Sequence, residues 1–139
     1  FNLDTWKNLA LTYKYLEHLI DAFMPRTRRN NTYCKTLSGV SDERIKSVRT
    51  IDGLREVFNN DRYHKVNFEA YSRHRTVEFR QHSGTTNFTK MENWIRFLNG
   101  LITFAKRSSL PSRMTLEGLP FLDGKQKLFF KLRTKKSAV

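Results

Sequence analysis

The residues best equipped for chemistry are a glutamate and an arginine two positions apart, Glu78 and Arg80, within Thr76-Val-Glu-Phe-Arg-Gln-His-Ser-Gly-Thr-Thr-Asn87. Strand alternation places Thr76, Glu78, Arg80 and His82 on one face and Val77 and Phe79 on the other. A carboxylate and a guanidinium on one face can serve a bound ligand, or they can close cross-strand salt bridges with Lys65 or Glu69. A second concentration of chemistry lies in Pro25-Arg-Thr-Arg-Arg-Asn-Asn-Thr-Tyr-Cys34, where Arg26, Arg28 and Arg29 crowd a turn-forming segment. Clustered arginines on a loop hold phosphate through paired hydrogen bonds; a solvated basic linker has the same composition, and both readings stand here.

The elements that must position these groups follow from periodicity. Residues 64–70 alternate as well, with Val66, Phe68 and Ala70 on one face and Lys65, Asn67 and Glu69 on the other, so the pattern predicts a hairpin with one apolar and one charged face. Its tip would be Tyr71-Ser-Arg-His-Arg75. A first helix is predicted from an Asp4 N-cap to about Met24, with Trp6, Leu9, Tyr13, Leu16, Ile20 and Phe23 as the stripe that packs on the hairpin. Two short helical pieces are expected in 41–58, capped by Ser41 or Asp42 and by Thr50. Thr86 or Asn87 would cap a long helix to about Lys106, with Met91, Trp94, Ile95, Leu98, Leu101, Ile102 and Ala105 turned inward across the hairpin. Residues 108–124, with Pro111, Gly118, Pro120 and Gly124, read as a connector. A short basic helix over 125–133 with Leu128, Phe129 and Leu132 inward follows, and then a frayed tail from Lys135. The fold class is therefore α+β, an antiparallel hairpin packed by two long amphipathic helices with a basic C-terminal helix.

The 139 residues suit one core, and 38% hydrophobic content is enough to fill it. Lysine and arginine number 26 against 13 acidic residues, a formal charge of +13, which favours an anionic partner over a neutral one. The lone Cys34 cannot form an internal disulfide and points to a reducing, cytoplasmic setting, or at least to a fold that needs no cross-link. No apolar run approaches the roughly 18 residues of a membrane span, so no membrane partner is expected. The first residue is Phe1 rather than methionine, which suggests a preceding segment.

Three motifs in order, the Pro25–Cys34 segment, Tyr63-His-Lys-Val-Asn67, and Thr76–Thr85 followed by Trp94-Ile95, resemble the amidoligase family from the first residue to about Lys106. Members of that family are similar to glutamine synthetase and glutamate-cysteine ligase in their catalytic core. The resemblance implies ATP- and magnesium-dependent joining of a carboxylate to an amine, on a sheet larger than one hairpin. Carried onto this chain, it makes Glu78 a metal ligand and gives Arg80, Arg28 and Arg29 catalytic roles. Arg80, Asn67 and Arg75 would contact the nucleotide. Magnesium on phosphates needs hard oxygen ligands and a phosphoryl group in transit needs fixed positive charge, which such residues could supply. Complete members also carry, upstream, a strand with paired glutamates and a strand with a His-x-His pattern; neither pattern occurs among these residues.

The chain thus looks like the C-terminal part of an amidoligase, with 1–107 as the amidoligase-like region and 108–139 as connector and basic helix. On this reading it is inactive alone and completed by an N-terminal half or another subunit. The alternative is a truncated amidoligase-like binding module that engages nucleic acid or a nucleoprotein, such as a phage or mobile-element inhibitor. Its contacts would be Lys125, Lys127, Lys131, Arg133, Lys135 and Lys136, which lie outside the family motifs.

Overall fold

In a computed structural model that describes residues 1–107 and 114–138, the chain is built around one helix. This helix, α1 (Leu3–Phe23), starts at Asn2, whose side chain accepts from the Thr5 amide at 2.9 Å, rather than at Asp4. It ends at Met24, just before Pro25. The expected stripe is buried throughout: Leu9, Tyr13, Leu16 and Ile20 are fully enclosed. Two helices pack along it, α5 (Phe88–Arg107) and α6 (Gly124–Ser137). The short α2 (Asp42–Ser47) and α3 (Ile51–Val57) pack on it as well, and they begin at Ser41 and Thr50 as their capping hydroxyls predict.

The sheet is smaller than alternation predicts. Strand β1 (Val66–Asn67) pairs antiparallel with β2 (Glu78–Phe79) in the register Val66 to Phe79 and Asn67 to Glu78. Asn67 accepts from the Glu69 amide at 2.9 Å, which bends the chain out of β1. It then enters a short helix, α4 (Ala70–His74), where the sequence predicts continuing strand and a hairpin tip. Arg75 closes α4 in the left-handed region at φ 57°. Upstream, the Lys35 amide donates to the Tyr63 carbonyl at 2.8 Å and the Lys65 amide to the Lys35 carbonyl at 3.1 Å, a parallel bridge between Lys35 and His64.

The expected charged face of β1 does not face solvent. Residues 64 to 68 are all buried, including Lys65 and Asn67, because α1 covers one side and the α3 region the other. Lys65 is accommodated by a polar network: its ammonium meets Asp21 at 2.8 Å and Glu17 at 3.2 Å. Gln81 donates to Asp21 and accepts from the Tyr13 hydroxyl at 2.6 Å. Glu17 accepts in turn from the Leu37 amide at 2.7 Å and from the Thr36 hydroxyl. Every member of this network has a partner, as burial in low dielectric demands. It fastens β1, Gln81 and the 36–37 turn to α1.

Helix α5 is turned relative to the predicted register. Trp94, Phe97, Leu101 and Ala105 are buried, Leu98 and Ile102 are partly so, and Met91 and Ile95 face outward. It packs on α1 and α6 rather than across the hairpin. The reason is an aromatic cluster: Phe97 lies 5.6 Å from Phe23 and from Trp94, 5.5 Å from Phe121 and 5.4 Å from Phe130 between ring centres. That cluster also fixes α6, whose inward residues are Gln126 and Phe130; Leu128 and Leu132, expected inside, are exposed. Helix α6 continues through Lys135 and Lys136 to Ser137, past the predicted end. Of the expected connector, residues 108–113 with Pro111 lie outside the described residues; Leu119 and Leu122 join the core. Gly100 is required where Phe121 crosses α5, because a Cβ there would stand 2.7 Å from the Phe121 ring.

A capping box opens α6: the Asp123 side chain accepts from the Gln126 amide at 2.8 Å, and the Gln126 side chain accepts from the Asp123 amide at 3.2 Å. Asp123→Ala is expected to lower the unfolding free energy by about 1 kcal/mol in urea titrations. Among the described residues no helix is long and apolar enough to cross a membrane.

Candidate functional site

The register of the two strands sets Asn67 opposite Glu78, and Arg80 follows two residues on, its amide donating to the Lys65 carbonyl at 2.8 Å. Beside them, the turn at 60–63 and helix α4 enclose a cavity of about 490 Å³. Its lining includes Asn67, Glu78 and Arg80, together with Arg62, Tyr63, Glu69, Arg73 and His74. Alternation does not find Arg62, which lies in the turn before β1, or Arg73, which reaches the cavity because the chain bends into α4 after Asn67.

The electrostatics of this cavity are those of an anion site. Arg80 donates to Glu78 at 2.7 Å, and its guanidinium lies over the Tyr63 ring, 5.2 Å from the ring centre. The duller sequence alternative for Glu78, a bridge to Lys65, does not form, because Lys65 is held by Asp21 and Glu17. The Arg80 Nε is buried without a hydrogen-bond partner among the described residues. Arg62 lies over the same Tyr63 ring at 4.9 Å and donates to its hydroxyl at 2.7 Å. The second carboxylate, Glu69, is claimed from outside the cavity by Arg55, at 2.8 and 3.1 Å, and within the lining by Asn60 at 3.0 Å. Arg55 holds the Glu69 carboxyl below its usual range. With Glu78 matched by Arg80 and Glu69 by Arg55, the charges of Arg62 and Arg73 remain uncompensated by any ion pair among the described residues. Three arginines in a partly enclosed, polar cavity suit phosphate oxygens better than any neutral group.

The remaining sequence candidates are distributed otherwise. Arg28 reaches the back of Arg80, donating to its carbonyl at 3.3 Å. Arg29 is engaged elsewhere, donating to the Met24 carbonyl at 3.0 Å and to the Ser137 carbonyl at 3.1 Å, so it joins the ends of α1 and α6. Arg75 lies outside the cavity with its guanidinium 5.4 Å from the Tyr71 ring centre. Cys34 is buried, its thiol 3.2 Å from the Arg28 carbonyl, and burial pushes that thiol up, away from nucleophilic chemistry. The six bases of α6 do not form one face. Lys127, Lys131 and Lys135 share a row at four-residue spacing, Lys125 and Lys136 lie on another side, and Arg133 turns toward the core beside Phe129 and Phe130.

The fit to magnesium is poor within these residues. A divalent cation takes several oxygen ligands, and among the described residues no group of three histidine, cysteine, aspartate or glutamate side chains could hold one. Glu78 and Glu69 each already face an arginine. The fit to the phosphates of a nucleotide is better, given the cationic lining and the cavity's size.

No curated protein and no solved structure matches the chain. A family model described as "Putative amidoligase enzyme" matches residues 1–102, which span α1 to most of α5 and include every residue that lines the large cavity. With that match covering 102 of 139 residues, the chain belongs to the amidoligase family.

Proposed function

We propose that this chain forms the phosphate-binding wall of an ATP-dependent carboxylate–amine ligase site and is inactive alone. The observation that carries the reading is the cavity beside Asn67, Glu78 and Arg80, cationic in its free groups, within the family-matched residues. Arg62 and Arg73 offer guanidinium groups to phosphate oxygens. Arg80 is held in place by Glu78 and Tyr63 and contributes fixed charge with no reorganisation when an anion arrives. Asn67 is anchored through its side-chain oxygen, so its amide nitrogen is left to donate. Carboxylates for a metal would come from a further segment or another subunit, because the two that line the cavity, Glu69 and Glu78, are already paired.

The expected outcome is weak ATP binding with no phosphate release above a Glu78→Ala control when mixed amino acids and peptides are offered. Arg73→Gln and Arg62→Gln should each weaken ATP binding about tenfold, the loss of one charge-assisted pair. Turnover clearly above that control sinks the claim that the chain is inactive alone. ATP affinity indifferent to both arginine substitutions removes the large cavity as the nucleotide site.

A further inference from the structure

A second, smaller cavity of about 90 Å³ opens where Ser83–Thr85 passes the C-terminal end of α1 and meets α6. Its walls combine the rings of Phe23, Phe129 and Phe130 with three nitrogen bases from three different segments: His82 after β2, Lys90 in the first turn of α5, and Arg133 on α6. No carboxylate lines it. Among the described residues neither Lys90 nor Arg133 belongs to an ion pair. The sequence pattern sets His82 on the face of Glu78 and Arg80, but in the fold it leaves them and packs against Trp94, the rings tilted and 5.3 Å apart between centres.

Gathering cations against aromatic walls costs free energy unless an anion compensates them. The volume is too small for a nucleotide, whose sites run to several hundred Å³, but sufficient for a tetrahedral oxyanion. Hydroxyl donors are at hand in Ser83 and Thr85, and the absence of a side chain at Gly84 leaves the loop backbone open. We propose that this cavity binds a phosphate group, either as inorganic phosphate or as the terminal phosphate of a small monoester, separately from the large cavity.

His82 makes the binding respond to pH. Its Nδ1 lies 2.7 Å from the Ser83 carbonyl, an acceptor, so the neutral ring carries its proton on Nδ1 and Nε2 becomes a donor only in the imidazolium. Burial, with the charges of Arg133, Lys90 and Arg28, holds the imidazole below its ordinary range, outweighing the carbonyl that favours its protonation. An anion seated in the cavity beside Lys90 and Arg133 reverses part of that field, so binding raises the histidine's pKa and takes up a proton.

The test uses the full chain at constant ionic strength. Inorganic phosphate and methyl phosphate are titrated at pH 7 with dimethyl phosphate as the diester arm, following the Gly84 amide and His82 ring by NMR. Sulfate, whose charge is constant with pH, is titrated at pH 8 and about pH 5.5. Saturable binding of phosphate and methyl phosphate, tighter sulfate binding at the lower pH, and an upward move of the His82 titration are expected. Lys90→Gln with Arg133→Gln should weaken phosphate at least tenfold, about 1.4 kcal/mol. Arg73→Gln in the large cavity should leave it unchanged. Non-saturable shifts, or equal weakening by Arg73→Gln, overturn the site; dimethyl phosphate binding as tightly as methyl phosphate overturns its assignment to a terminal phosphate. The His82 titration of the unaltered chain keeps the test decisive if the double variant folds poorly.

Discussion

Lys65→Met is expected to destabilise the fold by about 3 to 5 kcal/mol, because it leaves Asp21 and Glu17 facing a buried position with no counter-charge. The methylene stem is replaced nearly in kind, so lost packing is a small part of the effect. Burial already holds the Asp21 carboxyl above its usual range, even though Lys65 and Gln81 pull it down. Without the ammonium it must rise further. For a carboxyl whose folded pKa exceeds the unfolded one, the folded chain binds more protons, and stability falls as pH rises from the unfolded pKa to the folded one. The deficit of the variant is therefore largest at neutral pH and shrinks as acid is added through the carboxylate range. Adding Asp21→Asn should restore part of the loss. Urea titrations of the three chains at several pH values check this; a deficit independent of pH and untouched by Asp21→Asn would mean that Lys65 contributes through its stem alone.

Phe97→Ala should cost a similar 3 to 5 kcal/mol, since the ring is enclosed by Phe23, Trp94, Phe121 and Phe130 and its removal opens a cavity shared by α1, α5 and α6. Ile95→Ala, two residues away on the exposed side of α5, should stay within about 0.5 kcal/mol. Chemical denaturation midpoints of the pair rank the two directly. The reverse order would restore the register that the sequence pattern alone predicts.

That register shows what the sequence carries and what it hides. The stripe of α1 is legible because one helix face meets the core along its whole length, and the caps at Ser41 and Thr50 are legible because they act within a single turn. In α5 the apolar residues extend around more than half the helix, so periodicity cannot choose between Ile95 and Phe97. The choice is made by Phe121 and Phe130, far along the chain. The same holds for β1, where alternation reads Lys65 as a solvent-facing lysine. Only the acidic pair at Glu17 and Asp21, one turn apart on α1, makes its burial possible. In the candidate site, Asn67, Glu78 and Arg80 are adjacent on paired strands and so could be grouped from alternation. Arg62 and Arg73 could not, because Arg62 sits in the turn before β1 and Arg73 on α4, and neither that turn nor the Asx turn at Asn67 that folds α4 back beside the strands leaves a mark in a hydrophobic pattern.

The enclosure of Cys34 gives the chain an internal clock. Its thiol is sealed beneath the basic turn that carries Arg28, and the backbone on either side of it pairs with Asn31 and, through Lys35, with Tyr63. A thiol reagent can reach the sulfur only when this turn lifts away, so the rate of labelling counts those openings one molecule at a time. Because the Arg28 guanidinium rests on the carbonyl of Arg80, each such opening also releases the back wall of the large cavity. An anion seated there should slow the labelling, which turns one inert sulfur into a reporter of occupancy that needs no enzymatic turnover and no added label on the ligand.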